Sequence, residues 1–356
     1  MTDDNKKKKI IIVSGATATG KSDLSIMLAK KLSGSIISAD SVQVYKGQDI
    51  GSAKLPAGER GGIEHFLIDI LTPDEPFNVS EFVKRSKEAL DIIYSENRIP
   101  IVAGGTAFYI QALLKDVDFD ERSGEDPEFR NIASDIATAG NELDFVGFAQ
   151  KYFDMHREMS LKIFAGCNDG KEALYRLLRS KDEKSAEIIH ENNVKRVIRA
   201  LEFYAMTGTP ISEHNEREAG KEPEYDFVYF VLNDDRKKLY DRINDRVDKM
   251  LRDGLEEEVR SLLDAGYDRN SPGLQAIGYA QMVDHILGDT DYDAAVEKIK
   301  QETRHFAKRQ ITWFKREKDA VFVDIEKYGY DKEVILEYML DVIDEKSRER
   351  ISLKDG

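Results

Sequence analysis

This sequence predicts an α/β fold: a parallel sheet core flanked by helices, with a mainly helical insert domain. Short apolar runs alternate with helical periodicity over the first 115 residues. A glycine-rich loop follows the first of these runs and opens a helix. The strand signal then disappears between residues 116 and 215 and returns at 227–232.

The first part of the chain has the pattern of βαβ units. Its apolar runs are short enough for buried strands and lie at 10–13, 35–39, 66–70 and 99–103. Helical periodicity over 22–32, and from the candidate N-cap Ser80 to Glu96, predicts two of the helices between them. Because strands alternate with helices, we expect the sheet to be parallel and covered on both faces.

Apolar residues recur at helical spacing in the insert, at 129–136, 145–153, 173–178 and 194–204. Beyond it we expect a strand at 227–232, helices at 236–251, 255–265 and 292–316, and a short strand at 321–325. The predicted organisation is a discontinuous catalytic core (1–115 and 216–330), a helical insert domain (116–215) and an acidic C-terminal helix or tail (331–356).

The composition excludes several classes of protein and site. The 356-residue chain is 41% hydrophobic and 34% charged, which is typical of a soluble globular protein. Cys167 is the sole cysteine, which excludes an internal disulfide and a cysteine-based metal site and favours a reducing, cytoplasmic compartment. No apolar run is long enough to span a membrane.

The net charge of −15 argues against nucleic-acid binding by the molecule as a whole, because phosphate contacts need Lys and Arg. The charge is unevenly distributed, however. Residues 298–318 contain eight Lys or Arg against two acids, Glu302 and Glu317. A solvated helix face is the simpler explanation of such a run until other residues implicate RNA.

A phosphate-binding loop is the strongest local signal. It reads Gly15-Ala16-Thr17-Ala18-Thr19-Gly20-Lys21-Ser22 and matches G-x-x-x-x-G-K-[ST] directly after a predicted strand. The glycines let backbone N–H groups turn inward, and the helix N-terminus adds partial positive charge. Lys21 supplies a cation, and the Ser22 hydroxyl can bind Mg²⁺. We therefore expect a P-loop NTPase-like core that binds nucleotide phosphates or a diphosphate.

Two further loops follow predicted strands and should share the same edge of the sheet. Asp40 follows the second strand and could act as a base or metal ligand, although a turn or helix cap explains it equally well. Gly104-Gly105-Thr106 follows the fourth strand. Its glycines permit close backbone approach and Thr106 offers a hydroxyl, but a tight turn would also explain this pattern.

In this order the loops resemble the tRNA dimethylallyltransferase (tRNA isopentenyltransferase) family. The family's D-S-x-Q-V-Y stands unchanged at 40–45, and its D-I-G-T-A-K appears as D-I-G-S-A-K at 49–54. Its H-h-L-I-D is present at 65–69, and its G-G-T-G-L-Y appears as G-G-T-A-F-Y at 104–109.

Motifs in the second half extend the resemblance to nearly the whole chain. They are K-R-V-I-R-A-L-E at 195–202, R-I and G-L-E-E-E-V within 242–259, Q-A-I-G-Y at 275–279 and A-K-R-Q-I-T-W-F at 307–314. The departures are Ala16, Thr19, Ala107 and Phe108, the turn at 192–194, an extra stretch at about 145–167 and the lack of a C-terminal zinc-finger pattern.

The resemblance implies transfer of a dimethylallyl group from dimethylallyl diphosphate to N6 of the adenosine at position 37 of tRNA, without ATP consumption. The amine is a poor nucleophile, so Asp40 is expected as the base that accepts its proton. Lys21, Thr106, Arg246 and Ser22 with Mg²⁺ are expected to stabilise the diphosphate.

The resemblance also implies a set of RNA contacts. They are Asp40, Ser41, Val42, Gln43, Thr106, Arg130, Lys195, Arg196, Val197, Ile198, Arg199, Gln275, Ala276, Ile277, Gly278 and Tyr279. A solvated helix face remains an alternative for Lys195 and Arg196, and Val197 is expected in the core. The expected partners are the tRNA anticodon stem-loop and dimethylallyl diphosphate. The target adenosine must flip out of the anticodon loop to reach the site. The protein is expected to be a monomer and to bind no membrane.

Three other functions fit parts of the sequence. An adenylate dimethylallyltransferase would share the phosphate loop, but the helical insert and the motifs at 275–279 and 307–314 favour the tRNA type. A small-molecule P-loop kinase would leave those C-terminal motifs unexplained. A non-catalytic RNA-binding protein would not need Lys21, Ser22 and Asp40 intact.

Overall fold

The computed structural model describes residues 7–117 and 126–352. Within these ranges, six strands form a single parallel sheet in the order β3-β2-β4-β1-β5-β6. The strands are β1 (Lys9–Gly15), β2 (Gly34–Ser38), β3 (His65–Phe66), β4 (Ile99–Gly104), β5 (Asp226–Asn233) and β6 (Ala320–Asp324). The predicted α/β class is therefore confirmed.

Helices account for most of the rest of the described chain. They are α1 (Lys21–Leu32), α2 (Val79–Ser95), α3 (Ala107–Leu114), α4 (Pro127–Ala139), α5 (Glu142–Phe153), α6 (Arg157–Phe164), α7 (Gly170–Lys181), α8 (Glu183–Ile188), α9 (Val194–Thr207), α10 (Ile211–Ala219), α11 (Arg236–Arg252), α12 (Leu255–Asp264), α13 (Tyr279–Ile286), α14 (Tyr292–Phe314) and α15 (Lys332–Ser352). In the two described ranges, no helix combines the length and the apolar character needed to cross a membrane.

Residue contacts divide the chain into two compact units, 1–116 with 223–356 and 117–222. In the first unit the sheet is built around β1, which pairs with β4 on one side and β5 on the other. Its run of Ile10 to Val13 is buried because both faces of a central parallel strand are covered. This arrangement puts the loop after β1 in the middle of the sheet's carboxyl edge.

The C-terminal segment completes the core of the first unit. Ile335, Leu336 and Met339 of α15 are buried in the cluster that contains Leu24 and Leu28 of α1. The last residues of the predicted acidic tail, 353–356, lie outside the described ranges.

The strand predicted at 66–70 is wrong in length. It ends after Phe66, because Leu67 and Asp69 adopt left-handed φ values of 62° and 57° that interrupt an extended backbone. The buried ammonium of Lys54 holds this turn, donating to Asp69 Oδ1 at 2.5 Å and to the Tyr45 carbonyl at 2.8 Å. The apolar run therefore packs as an anchored loop.

The predicted cap of α2 is also wrong. The helix begins at Val79, and the Asn78 side chain accepts a hydrogen bond from the Glu81 N–H at 3.0 Å. Asn is as good an N-cap as Ser, and it satisfies a free N–H of the first turn.

The second unit, residues 117–222, has an apolar core of its own supplied by α4 to α10. The Phe129 ring lies 5.0 Å from that of Phe148 and 4.9 Å from that of Tyr152, measured between centroids. Phe145, Phe148 and Phe153 all come from the stretch at 145–167. This stretch therefore builds much of the aromatic core of its unit.

Candidate active site

The carboxyl edge of the sheet borders a cavity of about 580 Å³ within the first unit. Lys21 lines it from the loop after β1, Asp40 from the loop after β2 and Thr106 from the loop after β4. Arg246 joins them from α11. The structure thus brings the four predicted catalytic residues to one cavity, at the edge where ligands of open parallel sheets bind.

The phosphate loop has the backbone shape that its glycines allow. Gly15 has a φ of 143°, and a Cβ there would lie 2.5 Å from the Leu232 carbonyl oxygen. Gly20 has a φ of 83° where the loop turns into α1. Lys21 Nζ folds back and donates to the Ala16 carbonyl at 2.7 Å. Thr17 and Ser22 from this loop also line the cavity.

Two cations and one carboxylate set the electrostatics of this end of the cavity. Burial, reinforced by the nearby Arg246 and opposed by Asp40, lowers the pKa of Lys21 to about 7. Burial also lowers the pKa of Arg246, again against the effect of Asp40. Two partly buried cations held close together favour a multiply charged anion, since it would relieve both their mutual repulsion and their loss of hydration.

Asp40 is both a turn residue and part of the cavity wall. Its Oδ1 accepts hydrogen bonds from the N–H groups of Val42 at 2.8 Å and Gln43 at 3.3 Å. These bonds fix the carboxylate on the loop after β2, as expected of a turn residue, while its role as a base stays a prediction. Ser41, Val42 and Gln43 line the cavity with it.

The third loop packs closely against its neighbours because its first two residues, Gly104 and Gly105, have no side chain. A Cβ on Gly104 would lie 2.1 Å from the Ala39 carbonyl oxygen, and one on Gly105 would lie 2.2 Å from Gln310 Nε2. Thr106 follows at the start of α3, and its N–H donates to the Ala39 carbonyl at 3.2 Å. Both glycines are therefore required by backbone and amide contacts.

Gln310 is a site residue that the sequence reasoning missed. Its Oε1 accepts from the Thr17 N–H, and its Nε2 donates to the Gly105 carbonyl, both at 2.9 Å. The side chain is 5% exposed and lines the cavity from α14. It connects the phosphate loop with the third loop. The only signal for it was its place in the motif at 307–314.

Apolar side chains form another part of the cavity wall. Those from α11 and α14 are Ile243, Val247, Met250, Ile299 and Phe306, and those from the loops near β2 and β3 are Leu55, Ile68 and Phe77. A cavity with cationic groups in one part and hydrocarbon in another suits a ligand that has a charged head and an apolar tail.

The segment at 275–279 is only partly exposed to the cavity. Gln275, Ala276, Ile277 and Gly278 line it. Tyr279 does not fit the predicted contact with RNA through its side chain, because it is 0% exposed and its hydroxyl donates to Glu258 Oε1 at 2.6 Å. Arg309 of α14, which belongs to the basic run at 298–318, also lines the cavity.

The remaining predicted RNA contacts belong to the second unit. Lys195 and Arg196 are exposed on α9. Arg130 and Arg199 both bind the carboxylate of Glu202, which is 0% exposed, with closest distances of 2.8 and 2.7 Å. This buried acid fixes both guanidinium groups.

Two residues of the same segment, which the resemblance included among the RNA contacts, have buried side chains, as was also expected of Val197. Val197 and Ile198 are 1% and 6% exposed and belong to the apolar core of the second unit. Their side chains face the other helices because α9 presents one apolar face to that core.

Comparison with known sequences identifies relatives over almost the full length. A family model described as IPP transferase matches residues 43–317. A tRNA dimethylallyltransferase of Lachnoclostridium phytofermentans is 42% identical over 337 residues, covering 95% of this chain and 98% of that protein. A tRNA dimethylallyltransferase of Acetivibrio thermocellus is 38% identical, covering 93% and 97%.

Solved structures agree with the sequence relatives. A tRNA delta(2)-isopentenylpyrophosphate transferase of Staphylococcus epidermidis is 37% identical with a TM-score of 0.64, covering 95% of this chain and 100% of that one. A eukaryotic dimethylallyltransferase solved acting on tRNA is 28% identical with a TM-score of 0.68, covering 89% and 74%. On the family model and these relatives, this chain belongs to the IPP transferase family.

Proposed function

We propose that this protein is a tRNA dimethylallyltransferase, which transfers the dimethylallyl group of dimethylallyl diphosphate to N6 of adenosine 37 in tRNA. The observation that carries the proposal is the single cavity lined by a phosphate loop, by apolar side chains and by Asp40. It provides for the diphosphate, the hydrocarbon and the proton of the attacking amine in one place. The named relatives support tRNA as the acceptor.

The reaction forms a bond between N6 and C1 of the prenyl group and breaks the bond between C1 and the diphosphate oxygen. The diphosphate leaves with the electron pair of that bond, and the nitrogen loses a proton. Asp40 is the proposed acceptor of this proton, because its carboxylate is fixed at the cavity by the N–H groups of Val42 and Gln43.

Charge develops on the leaving diphosphate, so its stabilisation is the other requirement. Lys21 and Arg246 supply positive charge, and Thr106 supplies a hydroxyl at the same cavity. The exposed Ser22 hydroxyl at the start of α1 fits the oxygen ligands that Mg²⁺ takes together with phosphates. When bound there, Mg²⁺ would neutralise charge on the diphosphate oxygens.

The adenosine side of the cavity is assigned to Asp40 through Gln43 and to 275–278, which together could surround a flipped-out base. In the first unit, Arg309 is a proposed contact to RNA phosphates. In the second unit, the exposed Lys195 and Arg196 are proposed phosphate contacts of their own. Arg130 and Arg199 are proposed contacts fixed by Glu202. The protein is further proposed to act as a monomer in the cytoplasm.

Labelled dimethylallyl diphosphate, incubated with unmodified tRNA or with AMP, tests this function directly. Label in tRNA that is lost when adenosine 37 is replaced by guanosine supports the proposal. Label in AMP alone would favour the adenylate-modifying alternative, which the relatives do not favour. Addition of EDTA should stop transfer, and Mg²⁺ should restore it.

A further inference from the structure

Glu258, on α12, makes an unusual set of contacts behind the cavity wall. Its Oε2 accepts from the N–H groups of Asp49 and Ile50, both at 2.8 Å. Its Oε1 accepts from the Gly51 N–H at 3.1 Å and from the Tyr279 hydroxyl at 2.6 Å. Four donors on one carboxylate, three of them consecutive backbone N–H groups, form a built anion site occupied by the protein's own side chain.

Packing around this carboxylate is equally specific. A Cβ on Gly51 would lie 2.7 Å from two ring carbons of Tyr279 and 2.8 Å from Leu255 Cδ1. Tyr279 is fully buried, so its ring has no room to withdraw. The glycine at 51, the tyrosine at 279 and the glutamate at 258 therefore require one another.

Two segments of the chain connect Glu258, Gly51 and Tyr279 to the cavity. Gly51 and Ser52 line it, and the Ser52 carbonyl accepts from Gln43 Nε2 at 3.4 Å. Gln43 in turn donates its backbone N–H to the Asp40 carboxylate. In the other segment, Tyr279 directly follows 275–278, which also line the cavity.

We propose that Glu258 is a positioning residue, which holds the loop at 49–52 against Tyr279 and thereby sets the adenosine side of the cavity. The inference rests on the proposed function, because it assigns Asp40, Gln43 and 275–278 to the acceptor. Glu258 touches no reacting atom in this scheme. It fixes the two segments between which the base would lie.

The charge of Glu258 matters as well as its length. Glu258→Gln replaces one oxygen by an NH₂ group, which would face either the Gly51 N–H or the Asp49 and Ile50 N–H groups. A partly buried donor would then lack its acceptor, and the loop at 49–52 would shift. Tyr279→Phe removes one hydrogen bond and keeps the ring against Gly51, so its effect should have the same direction and a smaller size.

The experiment measures melting temperature, single-turnover rate and the KM of each substrate for the wild type, Glu258→Gln, Tyr279→Phe and Glu257→Gln. Glu257 is the matched control, since it is the exposed neighbour on the same helix. With saturating dimethylallyl diphosphate, Glu258→Gln should lower kcat/KM for tRNA by about 10- to 100-fold, as expected for a misplaced acceptor. The KM for dimethylallyl diphosphate should not change.

An equal fall in kcat/KM for tRNA and for dimethylallyl diphosphate in Glu258→Gln would overturn the proposal. A lower melting temperature with unchanged kinetic constants would overturn it as well. A loss of the same size in Glu257→Gln would also overturn it. If Glu258→Gln does not fold, Tyr279→Phe decides the question. A selective fall in kcat/KM for tRNA in that variant supports the proposal, and an unchanged kcat/KM for tRNA overturns it. Transfer to tRNA by the wild-type protein is the separate readout of the proposed function.

Discussion

The phosphate side and the adenosine side of the cavity are built in different ways. On the phosphate side the loop from Gly15 to Ser22 closes on itself, and the bond from Lys21 Nζ to the Ala16 carbonyl spans five residues. On the adenosine side, the bonds from the loop at 49–51 to Glu258 span 207 to 209 residues. The shape of the phosphate loop is thus specified mainly by a short stretch of sequence, with Gln310 as its support from a distant helix. The loop at 49–51 takes its place only once distant segments have come together.

Asp40→Asn should have the largest effect, because it removes the base and leaves the turn intact. Asn retains an oxygen that can accept from the Val42 and Gln43 N–H groups, so tRNA should still bind. Loss of a general base typically slows the chemical step by about 10²- to 10⁴-fold. A single-turnover rate close to that of the wild type would rule out Asp40 as the base.

Lys21→Met should affect the phosphate side alone. A hydrogen bond to a charged group contributes about 1.5–3 kcal/mol, so we expect affinity for dimethylallyl diphosphate to fall by roughly 10- to 100-fold. Equilibrium binding of dimethylallyl diphosphate and of tRNA, titrated separately, checks this. Lost tRNA binding with normal diphosphate binding would mean that the two sides have been assigned the wrong way round.

Gln310→Leu should show how far the phosphate side depends on long-range support. It removes the bonds to the Thr17 N–H and the Gly105 carbonyl, each worth about 0.5–1.5 kcal/mol, so the KM for dimethylallyl diphosphate should rise by about tenfold. Gln301→Leu, at an exposed position of α14, is the control. An unchanged KM would show that the loop holds its shape unaided.

Lys195→Ala and Arg196→Ala should have the smallest effect and leave the cavity untouched. Each exposed cation that contacts a phosphate should contribute about one unit to the slope of log affinity against log salt concentration. We expect weaker tRNA binding, a shallower slope and an unchanged single-turnover rate. Lys171→Ala, at an exposed position of α7 in the same unit, is the control. If the salt dependence of tRNA binding has the same slope in all three variants, Lys195 and Arg196 only form a solvated helix face and do not contact RNA.

The success of prediction from the sequence follows the same division. The strand at β1, its glycine loop and α1 were predicted because their residues interact with near neighbours in the chain. The position of Asp40 at the edge of the sheet followed from the rule that parallel strands share a carboxyl edge. The family motifs located the other segments of the site but did not say what each residue does.

The residues whose roles were misjudged are those whose burial or conformation depends on packing against distant parts of the chain. Tyr279 was included among the RNA contacts by resemblance, and nothing near it in sequence shows that its hydroxyl meets Glu258. Val197 and Ile198 were both included among the contacts by resemblance, although Val197 was also expected in the core, and the apolar face of α9 buries both. The run at 66–70 has the composition of a strand, but Lys54 holds it as a turn.

The junction with the second unit has a consequence for folding kinetics. The N–H of Glu224 donates to the carbonyl of Leu114 at 2.8 Å, so the chain returns to its point of departure after more than a hundred intervening residues. Pairing of β5 with β1 must therefore close a long loop, which is slow when that loop is unfolded. Residues 117–222 have a core of their own, and their early collapse would bring the end of α3 close to the start of β5 and shorten the search.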